Sequence, residues 1–335
     1  MFTILIPDRL KPPADIEQRV FGEDAKIVVA QATQSDQIPD EVLGSCDAVL
    51  AWHDLTFDKA FLGKLHRCKV IVRVGVGFDN IDLSASAQFG IRVCTVPDYG
   101  VHDVADHTMG LLLSLSRGII PSNDYARCGG WDWDFASGLR RITNTTLGII
   151  GLGRIGGAVA HRARAFGMKI LFYDPYQPVG IEKAWNIERC GCLEAIAEQS
   201  DTISVHTPLT EETRLMIGGG FFRRCGRRPL FINTARGGIV DLDALYLALV
   251  DGTVRGAGLD VLIEEPPNSE ALLVKAWKES GNELNRRLII TPHCAFCNRE
   301  SIEEMRRKAS KEALRVLRGE APESCVNEKY FEKMI

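Results

Sequence analysis

Two α/β domains, each built on a doubly wound parallel sheet, are the fold this sequence predicts, and three observations lead there. The chain has 335 residues, enough for two cores of ordinary size. Short apolar runs alternate with amphipathic stretches from end to end, the pattern of stacked βα units. A long, proline-free apolar stretch at 101–119, VHDVADHTMGLLLSLSRGI, separates two such series and suits a buried helix passing from one domain to the next.

In the first series the expected strands are Thr3–Ile6, Lys26–Ala30, Ala48–Trp52, Val70–Val74 and Arg92–Val96, with helices at Phe57–His66 and Leu83–Phe89. The second series offers strands at Thr146–Ile150, Lys169–Tyr173, Asp201–Val205, Pro229–Asn233, Arg255–Asp260 and Leu288–Thr291. A last helix is expected over Ser301–Arg318. If it packs back on the first domain, that domain is discontinuous: residues 1–100 and 294–335 form one unit, and 101–293 are inserted into it. The Gly/Asp/Trp-rich piece Cys128–Phe135 reads as an irregular arm.

Composition excludes several function classes. The chain is 45% hydrophobic and 25% charged, with a net charge of −4. No clustered basic surface is evident, which argues against nucleic acid as a partner. The start, MFTILIPDRL, lacks a basic segment and a long apolar run, so it reads as a first buried strand and no membrane partner is expected. The ten cysteines follow no disulfide scaffold. Cys294 and Cys297 form one C-x-x-C and Cys190 lies close to Cys192, but no second C-x-x-C completes a zinc pattern. Reduced thiols, no metal and a cytoplasmic location are the expectation.

Residues 147–157 read LGIIGLGRIGG and place Gly151, Gly153 and Gly156 in a G-x-G-x-x-G between an apolar strand and a helix. The first glycine permits the tight turn, the second lets a pyrophosphate approach the backbone, and the third lets helix and strand pack closely. The helix start, at Arg154 and Ile155, offers unpaired N–H groups and a positive dipole end to phosphates. Lys169–Tyr173 then leads to Asp174, 18 residues beyond Gly156, near the spacing at which an acid meets the adenine ribose hydroxyls. A carboxylate there disfavours the extra phosphate of NADP. The cofactor indicated is NAD, held by a Rossmann domain.

Moving hydride to or from a keto acid needs a cation for the carboxylate and carbonyl, an acid/base for the hydroxyl proton, and a group that keeps the acid/base charged. Three segments offer them: FINTARGGIVD with Arg236, GLDVLIEEPP with Glu265, and TPHCAF with His293. Each lies just past an expected strand of the second domain, where open α/β sheets bind ligands.

These segments resemble the D-isomer-specific 2-hydroxyacid dehydrogenase family, as do VRVGVGFDNIDL (72–83), VPDYGVHDVADHTMGLLL (96–113) and HTPLTEETRLMI (206–217). The likeness spans nearly the whole chain. VPDYGVHDVADHT, and EEPP followed by a long loop and TPHCAF, are similar to the bacterial branch that resembles the C-terminal binding protein co-repressors. The resemblance implies a flavodoxin-like substrate domain carrying an inserted Rossmann NAD-binding domain. It also implies a homodimer held through that inserted domain, with an arm at 119–144.

By resemblance, Arg236 binds the substrate carboxylate and carbonyl oxygen and lies beside the cofactor. His293 is the acid in reduction and the base in oxidation. Glu265, directly before Pro266, pairs with His293 and favours its imidazolium; Glu264 is the neighbouring candidate. Asp260 would reach the nicotinamide carboxamide, Thr234 and Ala235 would line the nicotinamide, and Thr207 and Pro208 the adenosine or pyrophosphate. In the first domain, backbone N–H groups of Gly75, Val76 and Gly77 would receive the substrate carboxylate, with Arg73 beside them. His53 is either a substrate contact or a polar strand-end residue, and His206 a structural or cofactor-edge residue.

Two departures from the family pattern bear on substrate. Phe296 stands where the co-repressors carry tryptophan, and Val76 where some relatives have serine. No extra Lys/Arg cluster marks a phosphate pocket. The function indicated is an NAD-dependent 2-hydroxyacid dehydrogenase or 2-ketoacid reductase acting on a small 2-hydroxy or 2-keto acid. The alternative is an NAD(H)-sensing, peptide-binding protein of the co-repressor type, which would have no use for a proton donor. Formate and phosphite dehydrogenases share the cofactor domain, but formate oxidation needs no acid/base.

Overall fold

The computed structural model describes residues 1–279 and 281–332. The chain divides into two units, Met1–Gly100 with Cys297–Ile335, and Val101–Phe296. Among the described residues no helix is long and apolar enough to cross a membrane.

The first unit holds β1 (Phe2–Ile6), β2 (Ala25–Val29), β3 (Ala48–Ala51), β4 (Val70–Arg73) and β5 (Arg92–Cys94), all parallel, in the order β2-β1-β3-β4-β5. This is the flavodoxin-like order, with its reversal between β1 and β3. Strands covered on both faces read as continuous apolar runs, as AVLA and the first three residues of VIVR do here. Leu5, Val49, Ile71 and Val93 pack with Leu43, Phe57, Phe61 and Leu62 on one face. The helix Arg299–Leu317 packs on β3, β4 and the helix Asp15–Phe21. There Arg306 donates Nε and Nη2 to Glu17 at 2.8 and 2.6 Å, with Glu17 only 2% exposed.

The end of the described chain adds an antiparallel segment to β5. Val326 N–H donates to Val93 O, Thr95 N–H donates to Ser324 O, and the side chain of the fully buried Asn327 bridges Val93 N–H and Ile91 O. Cys94 and Cys325 face each other across this pairing.

The second unit holds β6 (Thr146–Ile150), β7 (Lys169–Tyr173), β8 (Glu188–Arg189), β9 (Thr202–Val205), β10 (Leu230–Asn233), β11 (Gly256–Leu259) and β12 (Leu288–Ile290). The order is β12-β11-β10-β9-β6-β7-β8, all parallel, with the reversal between β6 and β9. Two apolar clusters flank the sheet, one built around Ile203, Phe231 and Leu245, the other around Leu112, Ile149 and Val159. Gly258 lets the helix Val101–Arg117 lie close on the sheet: a Cβ there would be 3.0 Å from Leu111 Cβ.

Most strand limits fall within two residues of those expected, and three elements differ. The helix expected over Phe57–His66 is only Lys59–Leu62. Phe57 N–H donates to Asn80 O and its own carbonyl accepts from Asp82 N–H, so its backbone is committed to a neighbouring segment. The apolar stretch 101–119 stops at Arg117, where left-handed Gly118 breaks it, and a separate helix runs Ile119–Arg127. Trp133–Ala136, in part inside the expected irregular arm, is a 3₁₀ turn capped by Asp132.

Candidate active site

At the switch point of the second unit, the turn after β6 shows what its glycines are for. Gly151 has φ +92°, and a Cβ on it would lie 2.9 Å from the His206 backbone. A Cβ on Gly156 would sit 2.1 Å from Gly151 O, so only glycine lets the helix Arg154–Ala165 start this close. Gly153 is the N-cap of that helix, and no atom lies within 4 Å of its Cβ position. One wall of the turn is therefore sealed by packing while the face at Gly153 is open, as an approaching pyrophosphate requires. Just behind, Gly157 makes room for the indole of Trp185, 2.5 Å from its Cβ position.

Asp174 follows β7, and its carboxylate accepts from Leu152 N–H at 2.8 Å and Tyr176 N–H at 2.9 Å. Gln177 donates to Leu152 O at 2.9 Å, so acid and amide together hold the glycine turn by its backbone. A carboxylate has about four acceptor sites, which leaves Asp174 capacity for a diol as well.

Past β9, the Thr207 hydroxyl is buried with no hydrogen-bond partner among the described residues. An orphaned buried hydroxyl costs about 1–3 kcal/mol, and a polar ligand would relieve it. Together with the open Gly153 face, it fits a dinucleotide. His206 serves the frame: its Nε2 lies 2.8 Å from Ser204 Oγ. Part of the residue reaches solvent, yet burial pulls its pKa down to about 3, so it stays neutral at physiological pH. Below the unfolded value of 6.5 the unfolded chain binds a proton that the folded chain refuses. Stability is therefore lost as pH falls from about 6.5 towards 3. Urea denaturation of His206→Gln should show a flatter acid limb than the parent; an identical slope rules out this contribution.

Past β10, Asn233 shapes the turn by accepting from Ala235 N–H at 3.0 Å and donating to Arg236 O at 2.9 Å. Thr234 Oγ1 meets Thr108 Oγ1 at 2.9 Å, and Arg236 Nη1 donates to Ala235 O at 2.8 Å. Gly237 sits hard against the next loop: a Cβ would be 2.0 Å from Leu262 C and 2.4 Å from Ile263 N.

That loop carries the acid. Glu265 precedes a cis bond to Pro266; its Oε1 accepts from Leu262 N–H at 2.9 Å and its Oε2 lies 2.6 Å from His293 Nδ1. Burial pushes the Glu265 carboxyl up, but the bond to His293, the Leu262 N–H and the nearby Arg236 charge outweigh it and leave its pKa below the ordinary value. Arg236, Glu265 and His293 thus share one electrostatic site. Among the described residues Glu264, the neighbouring candidate, makes no bond to His293.

His293 itself has φ +51°, and its N–H donates to Asp260 O at 2.8 Å. The Asp260 carboxylate, 1% exposed, accepts from Thr291 Oγ1 (2.6 Å), Cys294 N–H (3.0 Å) and Ala295 N–H (2.9 Å). Backbone and side chain of one residue hold the whole 291–295 turn, so the structure gives Asp260 first the work of a loop anchor. His107 joins it, its Nε2 3.0 Å from Thr291 Oγ1. His107, Asp260 and Cys294 are metal-ligand types lying close together, but three donors already occupy the carboxylate, and the cluster reads as a hydrogen-bond hub. Phe296 meets the His293 ring edge-on at 6.1 Å.

In the first unit the expected substrate residues gather at the carboxyl ends of β3 and β4. Arg73 is 7% exposed, its guanidinium donating to Val74 O and lying 2.5 Å from the Cβ position of Gly75. It supports the loop from beneath. Gly75 has φ +150° and spends its N–H on Arg73 O, which removes it from the expected set of donors and leaves Val76 and Gly77. Val76 is 40% exposed. The turn bearing His53 is shaped by Asp8, a fully buried carboxylate accepting from Trp52 and Asp54 N–H at 3.0 and 2.8 Å.

A seven-stranded sheet with this order, a glycine turn at its reversal and an acid after its second strand define the class of dinucleotide-binding α/β proteins. Residues 109–295 match the model of the D-isomer specific 2-hydroxyacid dehydrogenase NAD binding domain. The chain belongs to the D-isomer specific 2-hydroxyacid dehydrogenase family, and this part is its NAD-binding domain.

Among curated proteins it is 34% identical to a D-3-phosphoglycerate dehydrogenase of Methanocaldococcus jannaschii, over 98% of this chain and 60% of that one. It is also 34% identical to C-terminal-binding protein 1 of Caenorhabditis elegans, over 93% of this chain and 43% of the other. The chain thus spans under two thirds of either relative. Among solved structures, a D-lactate dehydrogenase from Aquifex aeolicus complexed with NAD and lactic acid superposes with a TM-score of 0.83 at 29% identity, covering 98% of both chains.

Proposed function

We propose that this chain is an NAD-dependent 2-hydroxyacid dehydrogenase, or 2-ketoacid reductase, acting on a small D-2-hydroxy acid. The single observation that carries the reading is His293 Nδ1 at 2.6 Å from a carboxylate that is itself fixed by Leu262 N–H and lies near Arg236. Bound NAD(H) supplies or accepts the hydride. With Nδ1 held by Glu265, the imidazole of His293 is assigned to give a proton to the carbonyl oxygen during reduction, or to take one from the hydroxyl during oxidation. Arg236 holds the substrate carboxylate and draws charge onto the carbonyl oxygen. Val76 and Gly77 N–H, and His53, are assigned to the far end of the substrate, Asp260 and Thr234 to the nicotinamide side, and Thr207 and Gly153 to the pyrophosphate. The test is NADH oxidation across a panel of 2-keto acids; binding of NADH with no turnover of any keto acid would remove the assignment.

Similarity to C-terminal-binding protein 1 supports a second reading, NAD(H)-dependent peptide binding. A pull-down that retains specific peptides only with NAD(H) present would favour it.

Asp174 is assigned to the adenine ribose. Asp174→Ser should lower the kcat/KM preference for NADH over NADPH by about 10–100-fold, because a like charge beside the 2′-phosphate repels it. An unchanged ratio would show that selection lies elsewhere.

The reading includes a homodimer through the arm at 119–144 and a cytoplasmic location. The arm exposes Trp131 (93%) and Trp133 (84%), and stacks Tyr125 on Phe135 at 4.4 Å beside a pocket of about 410 Å³. Exposed aromatics of this kind mark association surfaces. Sedimentation of the parent and of a Trp131→Ser, Trp133→Ser variant tests it.

A further inference from the structure

We propose that Cys94 and Cys325 are a dithiol pair that low-molecular-weight disulfides oxidise to a cross-strand disulfide, fastening the C-terminal segment to the edge of the first unit's sheet. The backbone carries this proposal. The bonds Val326 N–H to Val93 O and Thr95 N–H to Ser324 O flank the pair, which makes Cys94 and Cys325 directly opposed residues that share no ladder bond. At such positions the Cα atoms lie about 4.5 Å apart, inside the range a disulfide spans. Register is fixed on both sides, by the Asn327 side chain bonded to Val93 and Ile91, and by Ser324 Oγ donating to Thr95 O at 2.7 Å.

The two thiols differ in the way exchange chemistry needs. Cys94 is fully buried, while Cys325 is half-buried and its thiol lies 3.2 Å from Asn327 Oδ1. The bond from Cys94 brings the Cys325 pKa down, whereas Cys94 is held protonated by that bond, by burial and by Glu312. Cys325 is therefore the attacking thiolate and Cys94 the resolving thiol. The buried Glu312 accepts from Ser324 N–H and Oγ and lies within reach of the Cys94 thiol, ready to take its proton.

With oxidised glutathione, the Cys325 sulfur attacks one glutathione sulfur, the S–S bond breaks, and the first glutathione leaves as a thiolate that takes up a proton. Cys94 then passes its proton to Glu312 and attacks Cys325 Sγ, expelling the second glutathione. Two protein thiols lose two electrons, and one glutathione disulfide becomes two thiols. The bond would form two residues from Val96, whose N–H donates to Gly75 O at 2.9 Å, so it also stiffens the strand that supports the Gly75 loop. A second thiol pair, Cys46 with Cys68, is buried on both sides and gives an oxidant no entry.

The experiment is incubation of the native protein with oxidised glutathione, alkylation of the remaining thiols, and peptide mapping by mass spectrometry. The expected result is a Cys94–Cys325 linked peptide with Cys46 and Cys68 still alkylated. Cleavage within the C-terminal segment by a non-specific protease should slow by about tenfold or more, as a cross-link of long loop suppresses local opening. Cys94→Ser should accumulate the mixed disulfide on Cys325, and if that buried change prevents folding, Cys325→Ser should leave Cys94 reduced and alkylated. A stable glutathione adduct on Cys325 in the parent, an unmodified pair, or a Cys46–Cys68 bond formed first would each overturn the proposal.

Discussion

Changing His293 to asparagine should lower kcat for keto-acid reduction by about 10²–10⁴-fold, the usual worth of a positioned proton donor. Asparagine is the informative replacement because residue 293 has φ +51°, a left-handed conformation that asparagine tolerates and most residues resist. The turn bonded to Asp260 should survive, and NADH affinity, measured by fluorescence titration, should stay within a few-fold of the parent. Glu265→Gln should cost less, since the amide oxygen can still accept a bond from His293 Nδ1. For the parent, Glu265 has a folded pKa below its ordinary 4.5. Its contribution to stability is therefore complete above that value and is lost as pH falls through the lowered one. A His293→Asn protein with parental turnover would transfer proton transfer to another group and end the present assignment.

Gly237→Ala should be nearly as damaging to turnover although residue 237 has no reactive group. Its Cβ would sit 2.0 Å from Leu262 C and 2.2 Å from Leu262 O, both backbone atoms that no rotamer change can move aside. Either the Arg236 turn or the Leu262 loop must shift. The first displaces the guanidinium; the second displaces the N–H that holds Glu265 at 2.9 Å. Misplacing a catalytic group by about 1 Å costs about 10²-fold, so kcat should fall by about that factor. Stability should drop by about 1–3 kcal/mol from overpacking. NADH binding at the glycine turn after β6 should persist. Parental kcat in this variant would show that the two loops are not set by their contact.

These predictions mark how far the sequence could be read. The glycine turn, Asp174, Arg236 and His293 could be singled out because each closely follows an expected apolar strand, whereas choosing Glu265 over Glu264 rested on the resemblance; sheet order then brings the strand ends together. Gly237 could be seen only as the first of two glycines after Arg236; that its neighbour is Leu262 depends on the pairing of β10 with β11. Asp260 was expected at the nicotinamide by resemblance; its carboxylate also binds Thr291, Cys294 and Ala295, contacts more than thirty residues away along the chain that no local pattern announces. His107 meets Thr291 across 184 residues and was hidden for the same reason. Gly75 was counted as a donor by resemblance, but its own turn consumes the bond. Phe57–His66 was read as helix from apolar spacing, and the hydrogen bonds of Phe57 to residues 80 and 82 overrode it.

The indole seated on Gly157 has a practical meaning. Trp185 ends the helix Ile181–Trp185 and packs against Gly157, in the first turn of the helix Arg154–Ala165 that begins at the glycine turn, so its emission is a native optical signal from beside that turn, with no label required. Trp131 and Trp133 lie exposed on the arm and add emission of their own. Exchanging those two for phenylalanine would leave Trp185 with Trp52 and Trp277, and a change in emission on adding a dinucleotide could then be followed in real time.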